Sequence, residues 1–236
     1  MKAAAKPILM LLPGLTCDAV VWRDQIGAFK TTYDVRVPDF FGLDSFDAMA
    51  AATLALADGS FALAGHSMGG RVAMQVAATA PERVERLALL DTAAHLPDAA
   101  EPARRQVLID LGEREGMEAV IDAWLPPMIA PDRLGDGALW TDIADMLRRA
   151  GVATLKRQTR ALLGRGDGFA QLDTVRVPTA FIVGALDSWS PPQGHRDMQA
   201  HVPGSVLTVI ENCGHMAPME APDAVNRALE LWLNQE

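Results

Sequence analysis

"LAGHSMGGRVAMQVAA", residues 63–78, is the stretch whose reading decides the fold. An apolar run ends in Gly65-His66-Ser67-Met68-Gly69-Gly70, and an alanine-rich helical pattern begins at once. A serine carried at the tip of so tight a strand-to-helix turn needs a strained backbone, and side chains two residues to either side would collide with the adjacent strand and helix. Glycine at 65 and 69 removes those collisions. The start of the helix also sets backbone N–H groups beside the serine, where negative charge would develop on an attacked carbonyl oxygen. The spacing Gly65-x-Ser67-x-Gly69 is that of a nucleophile elbow. A phosphate loop would want Gly-Lys-Ser/Thr or G-x-G-x-x-G at this turn, and neither is present.

Outward from the elbow, short apolar runs alternate with longer helical patterns. "PILMLL" precedes a helix over about 18–30, "YDVRVP" one over about 45–58, and "SFALAG" leads into one over about 68–80. "VERLALLD", "PTAFIVG" and "SVLTVI" follow, the last before a helix over about 223–234. Strands that are apolar throughout and separated by helices predict an α/β fold, a mostly parallel sheet of about six strands covered by helices. One interval breaks the rhythm: roughly seventy residues after "LALLDTAAH" carry helical patterns near 101–115, 116–125, 137–150 and 152–163 and no convincing strand. A crossover needs only about a dozen residues. The chain is therefore expected to divide into a core, 1–95 and 168–236, and a helical cap, 96–167, inserted after the fourth strand. Insertions there lie over the carboxyl ends of the strands, where open parallel sheets bind ligands.

A serine hydroxyl is a poor nucleophile until a histidine takes its proton, and the histidine needs an acid to orient it. Of His66, His95, His195, His201 and His215, only His215 sits in a short loop, "ENCGHMAPMEAP", between the last strand and the last helix. "FIVGALDSWSPP" places Asp187 just past the fifth strand, on the same edge of the sheet. The 28 residues from Asp187 to His215 leave room for one helix and one strand, which brings the two side by side. Ser67, Asp187, His215 is also the chain order expected for an elbow of this kind. Asp91, at the end of the fourth strand, is the rival acid. His66 is read as a packing or hydrogen-bonding neighbour, His195 and His201 as surface residues of an amphipathic segment, and Asp39 and Asp44 as shaping a turn.

Composition narrows the partners. The formal charge of −9 and pI near 5.0 speak against a surface that neutralises phosphates, so nucleic acid is not expected. Half of the 236 residues are hydrophobic, enough for a substantial core. Cys17 and Cys213 form no metal-type pair and ask for no oxidising compartment, and no His/Cys/Asp/Glu cluster has metal-ligand spacing. In "MKAAAKPILMLLPG" the apolar run Ile8–Leu12 is closed by Pro-Gly and reads as a buried strand, too short for an export signal or a membrane span. A cytoplasmic chain with no membrane partner is expected, as monomer or homodimer.

Together, "GHSMGG", "GALDSW" and "NCGHMAPMEAP" resemble the α/β-hydrolase superfamily over nearly the whole chain. In that family the loop after the first long strand carries His-Gly-x and a Trp about eight residues on. Here "LPGLTCDAVVW" keeps Gly14, Leu15 and Trp22, with Pro13 where many relatives have His. The resemblance implies an oxyanion hole from the backbone N–H groups of Leu15 and Met68. It also implies attack by Ser67, His215 as general base, Asp187 as its orienting acid, an acyl-enzyme resolved by water, and no cofactor. So few residues precede the first strand that the antiparallel strands of larger relatives are expected to be missing.

For the substrate, a small molecule, the expected cap offers Trp124, Leu125, Met128, Ile129, Trp140 and Met146, and the acid loop adds Trp189. These suit a small to medium, largely apolar carboxylic ester. Arg71, one helical turn past the serine, keeps a second class open, because "GHSMGGRVAM" resembles the elbow of cofactor-free menaquinone-pathway lyases, which bind a carboxylate-rich substrate and eliminate pyruvate. Arg104, Arg105, Arg133 and Arg148 would be the further arginines such a pocket needs. C–C bond hydrolysis and a catalytically silent receptor on the same fold are the remaining alternatives.

Overall fold

The computed structural model describes residues 5–235; residues 1–4 of the stretch weighed above as an export signal lie outside them. In chain order the elements are β1 (Ile8–Leu12), α1 (Arg23–Phe29), β2 (Asp34–Arg36), α2 (Phe46–Leu54), β3 (Phe61–His66), α3 (Met68–Thr79) and β4 (Val84–Leu90). There follow α4 (Glu101–Glu115), α5 (Met117–Trp124), α6 (Gly137–Leu163), α7 (Gly168–Leu172), β5 (Thr179–Gly184), α8 (Pro192–Ala200), β6 (Val206–Ile210), α9 (Ala217–Glu220) and α10 (Pro222–Leu233). The six strands form one parallel sheet in the order β2-β1-β3-β4-β5-β6.

The uninterrupted apolar runs are explained by this arrangement. β3 and β5 are buried along their whole length, because α1 with α9 and α10, and α2 with α3 and α7, pack as two groups over the sheet. The edge strand β2 is only three residues long and half-buried, shorter than "YDVRVP" suggests, since it pairs on one side alone.

From β1 the chain goes out to β2 and then returns to β3 on the other side of β1. The loops after β1 and β3 therefore diverge and open a crevice at the carboxyl edge, the place where parallel α/β sheets take ligands. Register puts Leu12 beside Gly65, His66 beside Leu90, Leu90 beside Ile182 and Gly184 beside Ile210. The segments that follow β1, β3, β4, β5 and β6 consequently leave the sheet along one line.

Between β4 and β5 the chain makes α4, α5 and α6, which pack on one another. α6 breaks at Gly151 (φ 68, ψ 172), between the two helical patterns read at 137–150 and 152–163. Asp136 and Asp167 cap α6 and α7 through their carboxylates. The Gly168 N–H donates to the Ala94 carbonyl at 2.9 Å, which joins the chain just after β4 to the start of α7. Among the described residues no helix is long and apolar enough to cross a membrane.

Candidate active site

Ser67 joins β3 to α3 with φ 54 and ψ −117, a conformation that costs about 1–3 kcal/mol and persists only when its surroundings over-determine it. They do. The Ser67 N–H donates to the Leu90 carbonyl at 2.9 Å, and its own carbonyl accepts the Thr92 hydroxyl at 2.7 Å. A Cβ at Gly65 would run into the Gly69 carbonyl, and one at Gly69 into that of Leu12, so both glycines are demanded by close backbone approach.

His215 stands over the serine. Its Nδ1 lies 2.8 Å from Asp187 Oδ2, and its Nε2 lies 2.9 Å from Ser67 Oγ. A carboxylate accepts only, which assigns the proton to Nδ1 and leaves Nε2 to accept from the hydroxyl. Asp187 Oδ1 takes the N–H groups of Trp189 and Ser190 at 2.8 and 2.9 Å. Burial works to raise the Asp187 carboxyl, but the charge and hydrogen bond of His215 and these two N–H groups hold it below its ordinary value.

Burial shifts the neighbouring titratable groups away from their charged forms. Burial, and next the charge of Asp187, raise Asp91 well above the ordinary carboxylate range; its Oδ1 accepts the Gly184 N–H at 2.9 Å and it makes no hydrogen bond to His215. His66 Nε2 donates to the His215 carbonyl at 2.8 Å, as a hydrogen-bonding neighbour should, and burial followed by His215 pushes it down to about 3. His195 corrects the surface expectation. It is fully buried, accepts the Thr92 N–H at 3.2 Å through Nε2, faces the Pro191 carbonyl through Nδ1, and is pushed down to about 4 by burial. It thus braces the end of β4 against the acid loop. His201, paired with Asp173, is partly exposed.

A cavity of about 630 Å³ opens above Ser67 and His215. Its apolar side is made by Leu15, Met68, Trp124, Met128 and Trp189. Leu15 and Met68 are buried, and among the described residues neither N–H has a protein acceptor, that of Met68 because it opens a helix. The other end is charged: Glu101 receives Arg165 at 2.6 and 2.8 Å and Arg105 at 2.7 Å. Arg71 lines this end and is pulled down to about 9 by burial and then by the charge of Arg165.

Trp140, read as a pocket residue, does not line the cavity. α6 turns Leu139, Ile143 and Leu147 into the core and leaves Trp140 half-buried on the flank of that stripe. Leu125, Ile129 and Met146 likewise pack into the core rather than the cavity. Of the four further arginines, Arg104 and Arg105 line the cavity, while Arg133 bonds Asp136 and Arg148 bonds Glu118 and Asp145. Cys17 lines the cavity, but burial pushes its thiol up to about 12 and leaves it unreactive. Among the described residues no group of His, Cys, Asp and Glu is placed to hold a metal.

A parallel sheet with a serine on a strained strand-to-helix turn, hydrogen-bonded to a histidine and through it to a carboxylate, defines the α/β-hydrolase class. The Alpha/beta hydrolase family matches residues 9–228, and the chain belongs to that family. It is similar to the (E)-2-((N-methylformamido)methylene)succinate hydrolase of Acinetobacter baylyi, 28% identical over 247 residues that cover 95% of this chain and 89% of that protein. The N-formylmaleamate deformylase of Pseudomonas putida is 28% identical over 235 residues, 91% and 84% of the two chains. Among solved structures, a thermophilic esterase from Thermogutta terrifontis with malate bound superposes at a TM-score of 0.87 with 26% identity, covering 97% of this chain and 90% of that one.

Proposed function

We propose that this protein is a serine hydrolase that cleaves a small to medium, largely apolar carboxylic ester through an acyl-enzyme. The observation that carries the reading is the unbroken run of hydrogen bonds from Ser67 Oγ through His215 to Asp187. His215 Nε2 takes the hydroxyl proton as Ser67 Oγ bonds the ester carbon, and the charge that forms on the carbonyl oxygen is received by the Leu15 and Met68 N–H groups. Collapse expels the alcohol, protonated by His215; a water deprotonated by the same imidazole then attacks the acyl-enzyme and frees the acid and Ser67. No cofactor enters. Residues 96–167 serve as the cap, with Trp124 and Met128 contacting the acyl group. The test is hydrolysis of p-nitrophenyl esters from acetate to decanoate: Ser67→Ala should lose on the order of 10⁵ to 10⁶ in rate. A folded wild type that turns over none of them overturns the reading.

Arg71 supports a second reading, a substrate that bears a carboxylate. It is a buried guanidinium in the cavity whose one side-chain partner among the described residues is the His95 carbonyl, and an anion beside it would offset both the cost of its burial and its repulsion from Arg165. The two hydrolase relatives are named for carboxylate substrates, and the similar esterase was solved with malate. Such a substrate is compatible with hydrolysis or with the cofactor-free elimination considered above. Product analysis with a carboxylate-bearing ester separates them, since hydrolysis releases an acid and an alcohol and elimination leaves a new double bond.

A further inference from the structure

His215 can meet both Asp187 and Ser67 only if its backbone is held. Its N–H donates to the Met128 carbonyl at 2.8 Å and its carbonyl accepts His66. The residues on either side turn to a single group: the N–H groups of Gly214 and Met216 donate to the Glu220 carboxylate at 3.1 and 3.0 Å. The same carboxylate accepts the N–H of Ala130, at 2.8 Å, from the segment that follows Met128. The two segments lie so close that a Cβ on Gly214 would overlap the Met128 carbonyl and the Ala130 nitrogen. Glu220 is 3% exposed, and Arg133 reaches its backbone carbonyl rather than its carboxylate. Burial pushes the Glu220 carboxyl up, while the three N–H groups work to keep it charged.

We propose that Glu220 is a positioning residue of the active site. Its carboxylate ties the N–H groups on both sides of His215 to the Met128–Ala130 segment, so that the base and the pocket wall beside it keep one register. The proposal rests on the reading of His215 as general base. The residue type follows from the donors: three N–H groups converge, and a carboxylate alone among side chains of this length offers two oxygens and no hydrogen. Glutamine has the same volume but must turn an NH₂ toward at least one N–H.

Glu220→Gln is the test. In the variant, kcat for p-nitrophenyl acetate should fall on the order of 10²-fold with KM nearly unchanged, the loss typical of a catalytic group displaced by about 1 Å. The downfield ¹H resonance of the His215–Asp187 hydrogen bond should shift or broaden, which a loss of stability alone would not cause. A folded variant with wild-type kcat and an unmoved resonance overturns the proposal. If the variant does not fold, residue-resolved amide exchange on the wild type decides: Ala130, Gly214 and Met216 should be protected together, and free exchange at Gly214 or Met216 overturns it. Should the wild type prove inert on esters, the resonance still reports on Glu220, so failure of the functional reading is distinguishable from failure of this one.

Discussion

Arg71 and Arg165 share one acceptor, the carbonyl oxygen of His95, at 2.8 and 3.0 Å. Arg165 has its carboxylate in Glu101, whereas among the described residues Arg71 has none. Removing Arg71 should therefore act on an anionic substrate and spare a neutral one. A charged hydrogen bond is worth about 1.5–3 kcal/mol, so Arg71→Met should lower kcat/KM for p-nitrophenyl hemisuccinate by roughly 10- to 100-fold. Activity on p-nitrophenyl butyrate should be little changed. Equal losses on both esters would remove Arg71 from substrate recognition.

Asp91 and Asp187 follow adjacent strands and are both buried, yet their environments push them in opposite directions. Asp187→Asn keeps the shape but reverses the hydrogen-bond demand on Nδ1 of His215, and should cost on the order of 10⁴ in kcat. Asp91→Asn replaces a carboxyl whose burial already disfavours the charged form, at a positive φ of 46 that asparagine accepts. Its kcat should stay within about 10-fold of wild type. Steady-state kinetics of the two variants side by side is the measurement, and a collapse in both would make Asp91 part of the machinery.

The buried histidines steepen the acid side of the stability profile, and the raised carboxyls of Asp91 and Glu220 work against them. In the folded chain His66 and His195 lie at about 3 and 4, against 6.5 for an unperturbed imidazole. Below pH 6.5 the unfolded chain takes up protons that the folded one does not, so each stabilises fully above 6.5, and that contribution is lost as pH falls toward the folded values. The slope approaches about 1.4 kcal/mol per pH unit for each group. In urea unfolding between pH 7.5 and 4.5 the His195 share should appear as a difference: wild type should lose stability relative to His195→Gln as pH falls, although that variant starts lower for its weakened bonds to Thr92 and Pro191. Parallel profiles would contradict the depressed value of His195.

The parts legible in the sequence are those that local chemistry demands. Gly65 and Gly69 announce a turn that no other residue tolerates, and Ser67, Asp187 and His215 each stand in a short loop directly after a strand, where strand order alone brings them together. What stayed hidden depends on tertiary direction. Trp140 sits in a helical pattern that does not say which face meets the pocket. His195 looks like one polar residue of an amphipathic stretch, because only the packed structure turns that face of α8 onto β4 and the acid loop. Glu220 receives backbone N–H groups, which leave no trace in residue type.

The hydrogen bond from Gly168 to Ala94 fixes both ends of the stretch between them at a single doorway. A length of chain attached this way can be shortened, extended or exchanged for another without shifting the strands on either side of it. A replacement between Ala94 and Gly168 would redraw only part of the cavity wall, since Leu15, Met68, Arg71 and Trp189 reach it from outside that stretch.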